Sequence, residues 1–404
     1  MISVEEALSR ILSVFRPLPS EVVSLERALG RVLAEDVVAR LTQPPAAVSA
    51  MDGYAVRATD VAQVPVRLRV VGEAPAGGAY DAPLQTGEAV RIFTGGPLPE
   101  GADAIVIQED TESGSDGEGR WVEIREGAPA GHYVRPAGLD FARGDLGLPA
   151  GRTLRARDLG LAAAMNHPWL TVRRRPRVAI LATGDEVVMP GEPLQPNQIV
   201  SSNGIALQAV VKACGGEPIN LGIARDNRES LLRLAAGAAG ADIVVTTGGA
   251  SVGDHDLVRS VLGEEGLDLD FWKIAMRPGK PLLFGKLHGT PLLGLPGNPV
   301  SSLVCALIFL RPVLAQLLGQ DPSDKPFHAR LAKALPENDR RQDYLRARLY
   351  QDEAGNLTAE PFARQDSSML ATLAMADALI IRPPHAPAAA AGDTVQVVPL
   401  GDLL

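Results

Sequence analysis

The stretch Ala241-Asp242-Ile243-Val244-Val245-Thr246-Thr247-Gly248-Gly249-Ala250-Ser251-Val252-Gly253-Asp254-His255-Asp256 decides the fold class. Residues 241–247 read as a buried strand, the glycines as a tight turn, and 255–262 as the start of a helix. Upstream, 177–183 reads as a strand, 202–213 as a helix, 219–224 as a strand and 228–239 as a helix. This alternation predicts a mostly parallel sheet with helices on both faces, whose ligands collect at the carboxyl ends of the strands.

The flanks read differently. Ser3 followed by Glu6 predicts a capping box opening an amphipathic helix that Pro17 stops, and a second helix is expected over 24–36. Short apolar runs at 66–71, 89–93, 104–108 and 121–124, separated by Gly/Pro turns, predict a β-rich unit over 41–135. A helix follows over 153–166. Arg173, Arg174, Arg175 and Arg177 read as a solvated linker rather than a site. Residues 303–318 are apolar but interrupted by Arg311 and Pro312, so a buried, kinked helix is expected there rather than a membrane span. From Phe327 onward, runs at 344–350 and 394–398 and a Gly355-Asn356 turn predict a compact terminal β domain. The fold class is therefore multi-domain α/β plus β.

Composition sets outer bounds. The chain has 404 residues, 46% of them apolar, enough for several cores and two to four domains. A net charge of −9 disfavours nonspecific binding to nucleic acid or an anionic membrane, so an anionic substrate requires a locally basic pocket. Cys214 and Cys305 form neither a disulfide framework nor a zinc spacing. The start, Met-Ile-Ser-Val-Glu-Glu, lacks the features of a signal peptide, and cytoplasmic residence is expected.

Five loops can carry chemistry. Glycines in 248–253 let backbone N–H groups approach phosphate, and the following helix end favours anions; Asp254 and Asp256 suit Mg²⁺ bridging to it. An ordinary strand-to-helix turn with capping aspartates fits the same residues, and no dinucleotide or P-loop motif is present. The segment Trp272-Lys273-Ile274-Ala275-Met276-Arg277-Pro278-Gly279-Lys280-Pro281 concentrates three cations, which calls for solvation or an opposing anion. Leu295-Pro296-Gly297-Asn298-Pro299 leads into the apolar helix, where Ser301 or Ser302 reads as the N-cap. Thr183-Gly184-Asp185-Glu186 and Arg225-Asp226-Asn227 add carboxylates, so Glu186, Asp226 and Asp256 should converge near the glycine loop; taken alone, Asp226 also reads as a helix cap.

Together with Met51-Asp52-Gly53-Tyr54-Ala55 and Phe93-Thr94-Gly95, these motifs, in this order, resemble the molybdopterin molybdenumtransferases and are similar to the carboxyl-terminal part of gephyrin. The resemblance spans the whole chain. It implies an elongated dimerising segment (1–40 and 136–172, with the first helix free to pack on the α/β domain), a β-rich lid (41–135), a molybdopterin-binding α/β domain (173–324) and a β-barrel-like terminal domain (325–404). It further implies a homodimer in which Asp52 and Thr94 of the lid act on the other subunit's cleft.

The implied reaction takes adenylylated molybdopterin and molybdate, places molybdenum on the dithiolene and releases AMP with Mg²⁺. By resemblance, Glu186, Asp226 and Asp256 form the metal and hydrolytic set, with Asp52, Thr94, Asp140 and Lys273 as further catalytic candidates. Gly248, Gly249, Ser251, Gly253, Arg277, Lys280, Pro296, Asn298, Ser301, Arg346 and Ser367 are the implied substrate contacts. By their own patterns Arg346 and Ser367 read as surface residues and Asp140 as a turn residue. Two departures stand out: Arg277 where lysine is common, and Asp366 before Ser367 where a small residue is frequent. Other cofactor-synthesis proteins and acceptor molybdoenzymes are the implied partners. The rival readings are a non-catalytic molybdopterin-binding scaffold and a molybdopterin adenylyltransferase, and no residue here separates molybdate from tungstate.

Overall fold

The computed structural model describes residues 1–248, 257–323, 326–401 and 404, and of 257–260 the helical backbone alone. Three six-stranded sheets organise it. The middle sheet holds, in spatial order, Glu217–Ala224, Arg177–Thr183, Ile243–Thr247, Thr290–Leu295, Leu283–Leu287 and Leu267–Phe271. The first four are mutually parallel, Leu283–Leu287 runs against them and Leu267–Phe271 runs against it in turn, so the expected α/β sheet is present with antiparallel pairing at one margin.

Its central strands are continuous apolar runs because both faces are covered. Val178, Ile180, Ile243 and Val245 face one core; Ala179, Leu181 and Val244 face the other, beneath helix Arg228–Ala235. On the first face lies a helical run from Pro299 to Leu317. It begins four residues before the expected 303 and passes through a π-helical segment, Ala306–Leu310, just ahead of Pro312. A proline has no N–H for the next i→i−4 bond, and a wider turn accommodates its ring. By length and composition this helix could cross a membrane, yet 83% of its most apolar window is buried inside the protein.

The amino-terminal helix Val4–Val14 is capped as expected, Glu6 N–H donating to Ser3 Oγ at 3.1 Å, and its Ala7, Ile11 and Phe15 complete the same core. The expected helix over 24–36 does not form. Instead, strand Ser20–Ser24 pairs with Trp169–Arg173, one 3₁₀ turn follows at Leu25–Arg27, and Val32 and Leu33 bridge to Thr153 and Val172. Here long-range pairing with residues 153–173 of the same chain overrides local helical spacing.

The arginine run is not a solvated linker either. Arg174 grips Asp242 through two hydrogen bonds of 2.7 and 3.0 Å, Arg173 reaches the Leu18 carbonyl at 3.0 Å, and burial lowers the Arg175 pKa. The Asp242 contact fastens the segment to the start of strand Ile243–Thr247 in the α/β sheet.

The lid sheet runs Ala104–Ile107, Gly53–Val56, Glu88–Ile92, Val66–Ala74, Gly119–Ile124 and Thr111–Asp116, around a small aliphatic core. In the terminal sheet, Gln342–Gln351 pairs with both Leu357–Pro361 and Ala378–Arg382, and Phe327–Leu331 and Thr394–Pro399 complete a closed five-strand ring. A sixth strand, Met276–Arg277, joins this ring from the middle of the α/β unit.

Candidate functional site

Four parallel strands end side by side at Thr183, Ala224, Thr247 and Leu295, so the loops that follow share one edge. Two of these loops are latched reciprocally: Asp185 N–H donates to the Asp226 carboxylate at 3.3 Å and Asp226 N–H to the Asp185 carboxylate at 3.1 Å. The following helix is capped by Asn227, which accepts from Ser230 N–H at 2.9 Å, so Asp226 is not its cap. Glu186 folds back over Gly184, where a Cβ would lie 2.6 Å from its Oε2. Glu186 and Asp226 thus stand in the loops after neighbouring strands.

Gly248, at φ 86°, has no room for a side chain: a Cβ would sit 2.6 Å from the Thr183 carbonyl oxygen. Asn203 stitches this turn to the next loop, donating from Nδ2 to Thr247 Oγ1 at 2.8 Å and to the Gly297 carbonyl at 2.7 Å. Thr247 Oγ1 in turn donates to the Pro296 carbonyl at 3.3 Å. Gly249, Ser251, Gly253 and Asp256 lie outside the described residues. Among the described residues no group of three His, Cys, Asp or Glu stands together as a metal cage.

Neither Ser301 nor Ser302 caps the apolar helix. Asn298 occupies the cap and Pro299 the first turn, where the missing N–H costs nothing; both serines are buried, with Ser302 Oγ 3.5 Å from Thr247 Oγ1. With its side chain free of capping, Asn298 donates from Nδ2 to Ser367 Oγ at 2.8 Å, and Val300 N–H donates to the Ser367 carbonyl at 3.1 Å. The terminal domain is therefore fastened to the α/β edge at Ser367.

Arg346 is not a surface residue. It is 1% exposed, the largest fully buried side chain among the described residues, and its charge is met by the Gln365 side-chain oxygen at 3.1 Å and the Met369 carbonyl at 3.2 Å. Burial lowers its pKa, partly offset by Asp366. No carboxylate hydrogen-bonds it among the described residues: the Asp366 side chain is turned onto Ser368, whose N–H and hydroxyl donate at 2.8 and 2.6 Å.

The three cations of the neighbouring loop part ways. Lys273 Nζ sits 3.7 Å over the Trp272 ring, and the Lys280 carbonyl accepts from Ile274 and Leu282 N–H groups at 3.1 Å each. Arg277 departs from the expectation of an opposing anion, because its charge is met within the chain by Asp343 and Asp339.

On the lid, the Asp52 carboxylate accepts from Thr94 N–H at 2.7 Å and Thr94 Oγ1 at 2.8 Å, and the backbone bond chiefly lowers its pKa. Asp140 is exposed on a turn whose N–H donates to the Gln43 carbonyl at 3.0 Å. Sequence reading missed Asn203, Asp339 and Asp343. A polar residue opening the helix that follows a strand end was the one available signal for Asn203; the two aspartates looked like ordinary turn and strand-start residues.

Family models match consecutively along the chain: MoeA N-terminal region (domain I and II) over 2–166, a probable molybdopterin binding domain over 179–316, and MoeA C-terminal region (domain IV) over 328–400. A molybdopterin molybdenumtransferase of Haemophilus influenzae is 34% identical across 100% of both chains. The chain belongs to the molybdopterin molybdenumtransferase family. A second member of that family, from Nostoc, is 39% identical over 95% of this chain and 90% of its own. A molybdopterin biosynthesis moeA protein from Pyrococcus horikoshii has the same fold, with a TM-score of 0.85, 35% identity and 99% coverage of both chains.

Proposed function

We propose that this chain inserts molybdate into adenylylated molybdopterin and releases AMP, in the cytoplasm. Its relatives bear the name of this reaction over their full lengths. The observation that carries the reading is Arg346: a buried guanidinium without a hydrogen-bonded carboxylate, on the domain that Ser367 fastens to Asn298 at the strand-end edge. Such a cation is suited to a small tetrahedral oxyanion, with Lys280 and the Ser367 hydroxyl as further donors. Gly248, the loop behind it and the Pro296-Gly297-Asn298 turn would receive the pterin phosphate and AMP.

The donors at the neighbouring strand ends, Glu186 and Asp226, are all carboxylate oxygen, which suits Mg²⁺, an ion commonly held by one or two carboxylates plus substrate phosphates. With Asp256 they would hold the metal, which supplies positive charge against the phosphoanhydride. Asp52, held ionised by Thr94, would come from the lid of a second subunit, together with Thr94 itself. A homodimer is supported by exposed apolar side chains on the elongated segment: Val22, Leu29, Leu146 and Trp169 are 65%, 60%, 58% and 59% exposed.

The test is AMP release from adenylylated molybdopterin with Mg²⁺, with and without molybdate. Release that requires molybdate supports the reading. Binding without release would favour a scaffold, and synthesis of the intermediate from ATP and molybdopterin an adenylyltransferase.

A further inference from the structure

Arg277 lies where two domains share backbone. Strand Met276–Arg277 runs parallel to Gln342–Asp343, and Gln342 N–H donates to the Ala275 carbonyl at 2.9 Å. Across this seam Arg277 donates from Nε to Asp343 Oδ2 at 3.0 Å, with a closer ion pair from Nη2 to the same oxygen. Its Nη1 reaches Asp339 at 3.4 Å and its Nη2 the Asn338 side-chain oxygen at 3.4 Å. All three guanidinium nitrogens are thus engaged inside the chain.

Both ends of this contact are rigid. Asn338 donates to the carbonyls of Arg341, Arg382 and Pro383 at 2.8, 2.9 and 2.8 Å, and Arg341 holds the Asp339 carboxyl down at about 2. Asp343 is 4% exposed and its Oδ1 has no hydrogen-bond partner among the described residues; burial raises its pKa, opposed mainly by Arg277, which hydrogen-bonds it, and less by Arg341. On the other side, Ile274 N–H donates to the Lys280 carbonyl at 3.1 Å, and a Cβ on Gly279 would lie 2.5 Å from Cys305 Sγ, which pins the loop carrying Lys280 against the buried helix.

We propose that Arg277 is a positioning residue rather than an anion ligand: through Asp343 it clasps the strand that carries Arg346 to the loop that carries Lys280. Asp343 and Arg346 lie on one strand, about 10 Å apart at the usual rise, so a change of register at the clasp is delivered to Arg346. An oxyanion bound by Arg277 would have to displace Asp343 and leave a buried carboxylate without its cation, which is strongly unfavourable. The planar fork matters as well, since a lysine offers one compact charge and could not span Asp343, Asp339 and Asn338 together. The inference rests on the reading above that Arg346 and Lys280 face one oxyanion.

The experiment compares the full chain with Arg277→Lys, Asp343→Asn and the double variant. It reads molybdate binding by calorimetry, Michaelis constants for molybdate and for adenylylated molybdopterin, and hydrogen exchange along Gln342–Gln351. Each single variant should weaken molybdate binding on the order of tenfold, the double should add little, and the constant for adenylylated molybdopterin should hold. Exchange along the strand should rise in both singles.

Unchanged or tighter molybdate binding in Asp343→Asn, with weaker binding in Arg277→Lys, would overturn the proposal and make Arg277 a direct ligand. If Asp343→Asn fails to fold, Asp339→Asn at its exposed position gives the same comparison with a smaller shift, and no shift there would count against the clasp. A wild-type chain that does not bind molybdate would remove the parent reading instead; unchanged exchange in the variants would still dispose of the clasp by itself.

Discussion

Arg346 shows what a single residue can and cannot disclose from sequence. Its strand alternates as any half-buried strand does, and an arginine there looks solvated; only closure of the ring, with Gln342–Gln351 paired on both sides, puts its guanidinium inside. Arg346→Ala should raise the molybdate concentration needed for half-maximal AMP release by about tenfold or more, with little change at saturation, as measured by initial rates; an unaltered requirement would strip it of that role. The placement of Asp226 and Glu186 in neighbouring strand-end loops was legible because such loops of a parallel sheet share one edge. Arg277 was half legible: its charge was evident, while the aspartates that meet it arrive from about 60 residues further along the chain.

At the scale of elements, the strands and helices of the α/β unit followed from hydrophobic runs, since burial on both faces leaves little ambiguity. The segment 24–36 misled because its apolar spacing serves two short bridges instead of a helical face. Burial within 299–317 is energetically large: Phe309 is 0% exposed inside the π-helical segment, and Phe309→Ala should cost about 3–5 kcal/mol, seen as a lower denaturant midpoint with an unchanged slope.

Helix Ala156–Ala164 depends on Asp158, which is 2% exposed, accepts from Arg155 N–H at 2.8 Å and pairs with Arg152 at 2.8 Å. Hydrogen bonding from Arg152 is the main reason its pKa is lowered. A depressed carboxylate stabilises the fold above its unfolded pKa of about 4, and that stabilisation fades as pH falls through the lower folded value. Acid unfolding of Asp158→Asn should therefore lack part of the wild-type loss of stability below about pH 4, and superimposable pH profiles would refute the linkage. At neutral pH the same substitution should cost about 1 kcal/mol.

For the whole molecule, the carboxylates at the sheet edge and the Asp52–Thr94 pair belong to different sheets, and the hydrogen bonds of Asp52 all stay within the lid. The proposed function would reconcile that separation with a cleft completed by a second copy. Mixing Asp52→Ala with Arg346→Ala chains, each nearly inactive alone at limiting molybdate, should restore activity through heterodimers that carry one intact site; mixtures no better than their components would place the lid on its own chain's cleft. The seam at Met276–Arg277 was not readable from sequence, because two residues added to a distant sheet leave no periodic trace.

The most direct measurement of the central claim is reactivation of a cofactor-free molybdoenzyme by this chain, supplied with adenylylated molybdopterin, Mg²⁺ and molybdate, while AMP is followed in the same tube. AMP release and recovered enzyme activity should rise together, and both should stop when molybdate is withheld. AMP release that ignores molybdate, or bound intermediate with neither signal, would contradict that claim.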